Sequence, residues 1–188
     1  MTITPGIFKL GPDNATLSVR TGRRGAAAKA GHDLLIEVGA WEATFELDQD
    51  SGRSVIDLTA DAGSLRVLDG TGGLQALGDD DKLSINQTID QDVLKGTAIR
   101  FHASGVNVND RRITVQGELE FAGRQGPIAF ELTVDENGRL TGSATLTQTD
   151  WGLKPYSALF GTLKVADEVV VEIDANLQAA RAATTSSR

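Results

Sequence analysis

No cysteine occurs among the 188 residues, which removes disulfides, thiolate metal sites and cysteine nucleophiles together and leaves the redox compartment open. Histidine is nearly absent too, with only His32 and His102 available for imidazole chemistry. Basic residues are the minority charge, 18 Lys and Arg against 26 Asp and Glu, for a net charge of -8. A chain of that sign lacks the cations a phosphate backbone demands, so no nucleic-acid partner is expected. No run approaches the roughly 20 apolar residues of a membrane-spanning helix, and no transmembrane segment is expected. The opening MTITPGIFKLGPDN lacks a basic start followed by an apolar segment, so a cytoplasmic setting is expected. Aromatics are scarce at 5%, whereas glycine occurs 21 times. That balance suits short strands and turns rather than a helical bundle.

What is present is alternation with period two. Leu34, Ile36 and Val38 share one face, with Asp33 and Glu37 on the other. Beyond Gly39 the apolar set becomes Trp41, Ala43, Phe45 and Leu47, so the parity shifts by one. A β-bulge at Gly39 would do this, with Val38 and Trp41 both on the apolar side. A turn is expected over Asp48–Gly52, followed by Ile56, Leu58, Ala60 and Ala62. Similar runs lie at 99–103, 113–121, 128–134, 140–146 and 169–173, with a turn at Asn137-Gly138. The pattern predicts about eight strands in an antiparallel meander, closed as a barrel or folded as a sandwich.

One segment departs from it. Ile85, Ile89 and Val93 stand at helical spacing within DDDKLSINQTIDQDVLKG. Asp81 is the expected N-cap and Lys95-Gly96 the stop, giving one amphipathic helix over about residues 81–94 that lies against the barrel or plugs one end. The glycine-rich DGTGGLQALG before it reads as a lid or connector, since it lacks the Lys-Ser/Thr of a phosphate loop. A single domain is expected over 1–177, with a flexible tail over 178–188.

Catalytic and metal constellations are thin. His32 and Asp33 are neighbours, but adjacent strand residues point to opposite faces, so Asp33 is badly placed to orient His32. No Gly-x-Ser-x-Gly elbow is present. The histidines show no metal-ligand spacing, and Asp79-Asp80-Asp81 lacks the glycine and glutamate of a calcium loop. No catalytic residue, metal or cofactor is therefore expected. His32 is expected to be structural, bonded to backbone or water at the start of its strand, or to be a polar group at a cavity mouth. Arg20, Arg23, Arg24 and Lys29 form the one basic cluster, which could contact a lipid headgroup or be a solvated loop.

The order of elements and several short motifs carry a resemblance. AGHDLLIEV, AIRFHASGV, the hairpin GELEFAGRQGPIAFEL and the ending TDWGLKPYSALFGTLKVADEVVVEI resemble the YceI-like family over roughly residues 6 to 177. The resemblance implies an all-β, eight-stranded antiparallel lipocalin-like barrel with one helix. It also implies binding of a polyisoprenoid or quinone-like lipid inside the barrel. Many members carry a leader, and none is expected here; the chain also departs from many members in reading DWGL at Asp150–Leu153. On the inward faces, Phe45, Leu58, Phe101, Leu119, Phe121, Phe130 and Leu132 are the expected lining. The leading expectation is a non-enzymatic carrier or sensor of an apolar isoprenoid-type lipid. Its rivals are a closed interaction barrel acting as a homodimer, and a small-molecule enzyme using His32 or His102.

Overall fold

The computed structural model describes residues 3–48 and 53–181. The turn expected at Asp48–Gly52 lies, apart from Asp48, outside the described residues. Among the described residues twelve strands are formed: β1 (Gly6–Leu10), β2 (Ala15–Arg24), β3 (His32–Val38), β4 (Trp41–Leu47), β5 (Val55–Asp61), β6 (Leu65–Gly72), β7 (Ala98–Asn109), β8 (Arg112–Phe121), β9 (Arg124–Val134), β10 (Arg139–Thr147), β11 (Ser157–Ala158) and β12 (Leu163–Asn176). They pair antiparallel in one sheet, in the order β1-β4-β5-β7-β8-β9-β10-β12-β2-β3-β6, with β11 added beside β12.

The chain passes between the two ends of that order three times, through residues 11–14, 39–40 and 62–64. Links of two to four residues can join the ends of a wide sheet only if it curls back on itself. The result is the all-β, lipocalin-like architecture expected, built from more strands than eight. β1 with β2, β3 with β4, and β5 with β6 are each one alternating run interrupted once. The short β11 adds a further segment.

The re-phasing at Gly39 is one of these interruptions and not the bulge expected there. β3 ends at Val38 and pairs with β2 and β6, whereas β4 starts at Trp41 and pairs with β1 and β5. Val38 and Trp41 are both buried, so the face assignment holds although its cause differs. The corner is tied by backbone bonds from Gly39 N–H to the Ser64 carbonyl at 3.1 Å and from Asp61 N–H to the Ala40 carbonyl at 2.9 Å.

Among the described residues these breaks leave β6 with β3 as its only strand partner, and helix α1 (Asp79–Thr88) takes up the other edge. Asn86 Oδ1 accepts the Val67 N–H at 2.8 Å, supplying to the open edge an acceptor that a strand would have given. The helix begins earlier than expected. Gly78 is its cap, and Asp81 lies in the first turn, where its carboxylate accepts the Gly78 N–H at 3.1 Å. After Thr88 the chain widens into a π-helical segment, Ile89–Leu94, and stops at Lys95 and Gly96, both at positive φ. The glycine-rich segment is only partly a connector, since Asp69–Gly72 extend β6 and pair with β3.

Packing differs between the two ends of the barrel. Ile113, Val115, Leu140 and Leu132 are fully buried at the end that holds the β7–β8 and β9–β10 turns. A short C-terminal helix, α2 (Leu177–Ala180), closes this floor, with Leu177 and Ala180 buried and the Arg181 guanidinium over the Phe8 ring. The tail expected from 178 therefore does not start there: residues 178–181 are part of the fold, and 182–188 lie outside the described residues.

Two outcomes follow from these contacts. Asn86→Ala should lower stability by about 1 kcal/mol in urea unfolding, because the Val67 N–H loses its acceptor, and should speed Val67 amide exchange. At the floor, Arg139 Nε donates to Asp174 Oδ1 at 2.8 Å, and this bond holds the Asp174 carboxyl below its ordinary value. A depressed carboxyl stabilises the fold above its unfolded pKa, and that contribution fades as pH falls through the folded one. Asp174→Asn should thus be slightly less stable than wild type at pH 7, and equally stable at pH values below the lowered pKa.

Candidate functional site

The half of the barrel opposite the floor is hollow. Its cavity has a volume of about 500 Å³. The space exists because several wall positions carry little side chain: Gly31, Ala60, Gly142 and Ala144 all face it. Large side chains are placed around them. At Gly117 an added Cβ would come within 2.6 Å of the Phe101 ring and 2.3 Å of the His102 carbonyl oxygen. The missing side chain lets Phe101 lie across the backbone of β8. Phe101 in turn meets Phe130 at 5.3 Å between ring centroids, inclined by 55°. This is the tilted contact that aromatic quadrupoles favour.

All seven residues expected as lining, Phe45, Leu58, Phe101, Leu119, Phe121, Phe130 and Leu132, border the cavity. They form one side of it. The opposite side was not named from sequence: Leu17 and Val19 from β2, and Val169, Val171 and Ile173 from β12. Their alternation was visible, but alternation does not say which runs curl round to face one another. The helical triad Ile85, Ile89 and Val93 completes the wall, so the helix is a side of the cavity rather than a plug at the end.

Polar groups gather where the loops between β2 and β3, after β6, and before β12 meet. Arg23, His32, Tyr156 and Lys164 border the cavity there. The expected basic cluster is divided by the fold. Arg23 reaches inward, where its guanidinium donates to the carbonyls of Gly31 and of Thr71, the latter at 3.1 Å, and lies 3.8 Å from Asp33. Arg20 turns outward and bonds Glu172 at 2.7 Å. Arg24 faces Glu168 at 4.0 Å, and Lys29 sits on an exposed turn; neither borders the cavity.

His32 opens β3 as expected. Its Nε2 lies 2.9 Å from the Gln75 carbonyl and therefore carries the proton that it donates. Gly73, at φ +74°, passes directly beneath the ring, where a Cβ would come within 2.2 Å of Nε2. His102 is elsewhere. Its Nδ1 lies 2.6 Å from Asp57 Oδ1 on the outer face of the sheet, both side chains exposed and outside the cavity. The two histidines thus share no site. Among the described residues, no three His, Asp or Glu side chains are grouped so as to hold a metal ion, and no helix is long and apolar enough to cross a membrane.

Comparison with known proteins matches the YceI-like domain to residues 12–177. The chain belongs to the YceI-like family. Two solved structures share its fold. Burkholderia cenocepacia BcnA superposes with a TM-score of 0.61 at 15% identity, covering 85% of this chain and 94% of BcnA. The Campylobacter jejuni YCEI protein gives 0.53 at 12% identity, covering 74% and 81%. No curated protein matches. At these identities the likeness concerns the fold, and the cavity chemistry of this YceI-like protein comes from its own residues.

The His32 contact has a measurable consequence. His32→Leu should cost about 1 kcal/mol by losing the bond to the Gln75 carbonyl. Amide exchange should accelerate over residues 73–77 while the barrel strands stay protected.

Proposed function

We propose that this YceI-like protein binds and sequesters an apolar isoprenoid-type lipid, a polyisoprenoid or quinone-like chain, inside the barrel. The single observation behind this reading is the cavity of about 500 Å³, walled by aliphatic and aromatic side chains, with polar groups at one end. The volume falls within the range of about 300–1,000 Å³ usual for small-molecule sites. An apolar space of this kind holds water poorly, so an apolar chain that enters meets little competition. Each methylene buried there contributes about 0.8 kcal/mol, so a few branched units suffice for tight binding without a buried charge.

In this reading the tail of the ligand lies among Phe101, Phe130 and the helix, while a polar head stays among Arg23, Tyr156 and Lys164. Binding rather than catalysis suits the site. His32 holds a loop through the Gln75 carbonyl, and the His102–Asp57 pair stands outside the cavity. A barrel filled by its own side chains, the structural alternative, is disfavoured by the hollow half.

The decisive measurement is mass spectrometry of an organic extract of the purified protein, with a stoichiometric isoprenoid-type lipid expected. Leu58→Trp, which puts an indole into the cavity, should abolish that lipid and leave the unfolding midpoint unchanged or raised. An extract empty of apolar molecules from a folded wild-type protein would remove the proposal.

A further inference from the structure

The rim of the cavity carries features that binding a ligand inside does not require. Phe160 is fully exposed, at 110% of its reference area, and Leu159 beside it is also exposed. Both have positive φ, 50° for Leu159 and 55° for Phe160, a conformation that bulky L-residues avoid. The backbone is thus held in a disfavoured form that leaves two large apolar side chains in water. Leu74 is 80% exposed. It follows Gly73, which lies beneath His32, and precedes Gln75, whose carbonyl His32 bonds.

These side chains belong to one surface. Ala27 N–H bonds the Thr162 carbonyl at 2.9 Å, and Gly31 packs on Leu163, which joins the β2–β3 loop to the segment before β12. Arg23 bonds the carbonyls of Gly31 and Thr71, which joins that loop to the end of β6. The three rim segments, 23–31, 70–78 and 153–164, contain Arg23, Arg24, Lys29, Lys154 and Lys164 and not one acidic residue. Arg23 and Arg24 are met by Asp33 and Glu168, so the cations these segments turn to solvent are Lys29, Lys154 and Lys164.

We propose that the rim docks on an anionic lipid bilayer, with Leu159, Phe160 and Leu74 entering the interface and the exposed Lys29 and Lys154 lying against the headgroups. The cavity mouth then opens onto the membrane, so an apolar ligand passes between bilayer and barrel without crossing water. Aliphatic and aromatic tips ringed by Lys and Arg are the chemistry that an anionic interface selects. This inference rests on the cavity being a lipid site, and it adds where that lipid is collected or delivered.

Co-sedimentation with vesicles tests the docking, and uptake of a fluorescent apolar probe added from ethanol tests the cavity separately. Wild type should bind vesicles of phosphatidylcholine mixed with phosphatidylglycerol, bind pure phosphatidylcholine less, and be released by salt. Leu159→Ser with Phe160→Ser should weaken partitioning by at least about tenfold, given the apolar area withdrawn, while probe uptake stays at the wild-type level. Lys154→Gln should weaken it by roughly fivefold. Wild type that takes up the probe but ignores anionic vesicles overturns the docking and leaves the cavity reading standing. Partitioning without probe uptake supports the docking and overturns the cavity reading. Partitioning unchanged by the serine variant, or self-association in ultracentrifugation that this variant abolishes, overturns the proposed surface.

Discussion

The free edge of β6 is the constraint on which the rest of the structure depends. Three successive strand runs break at neighbouring points, and one half of each, β2, β3 and β6, pairs as a separate branch ending in β6, whose outer edge has no strand partner among the described residues. Backbone N–H and C=O groups at such an edge need partners, and a helix can supply them only through side chains. Asn86 does so at Val67, and Ile85, Ile89 and Val93 border the barrel interior. A helix laid along an edge cannot fill the interior as a continuous sheet with interdigitating side chains would. The hollow reflects this closure together with the glycine and alanine positions of the wall.

The closed end shows the contrast. There Ile113, Val115, Leu132 and Leu140 meet at full burial, and α2 seals them with Leu177 and Ala180. Close packing of this kind carries the stability of a fold, since each large aliphatic truncated to alanine costs about 2–5 kcal/mol. The open end can therefore spare its interior. Glycine and alanine at 31, 60, 142 and 144 give up packing that the floor does not need from them, and the barrel keeps a rigid frame around an apolar space.

Polar chemistry is sorted by the same asymmetry. Ion pairs such as Arg20–Glu172 and Arg100–Glu120 lie on the outer surface, exposed to solvent, where each contributes little to stability. At the mouth, Arg23 and His32 use their bonds to hold loops together. Their distance from the floor leaves the deep part of the cavity to aliphatic and aromatic contacts. A ligand with a long apolar body and a small polar end suits that division.

The sequence by itself determined the fold class and which residues share a face along each strand, and the seven residues expected as lining border the cavity. Period-two alternation is local: a residue's parity fixes its face whichever strand it pairs with. Helical spacing of Ile85, Ile89 and Val93 was equally legible, because those residues lie close together in one continuous helical stretch of chain. Tertiary structure alone decided what depends on pairing between distant segments. It turned the parity shift at Gly39 into a crossing from one end of the sheet to the other, since a bulge and a corner re-phase the faces alike and differ only in their partners. It sent Arg20 to Glu172 and Arg23 to the mouth, because β2 residues of opposite parity meet water and cavity respectively. It also set β12 and β2 across the hollow from the predicted wall, a relation between residues some 150 positions apart in the chain. Parity is a property of the chain; what stands opposite is a property of the closed sheet.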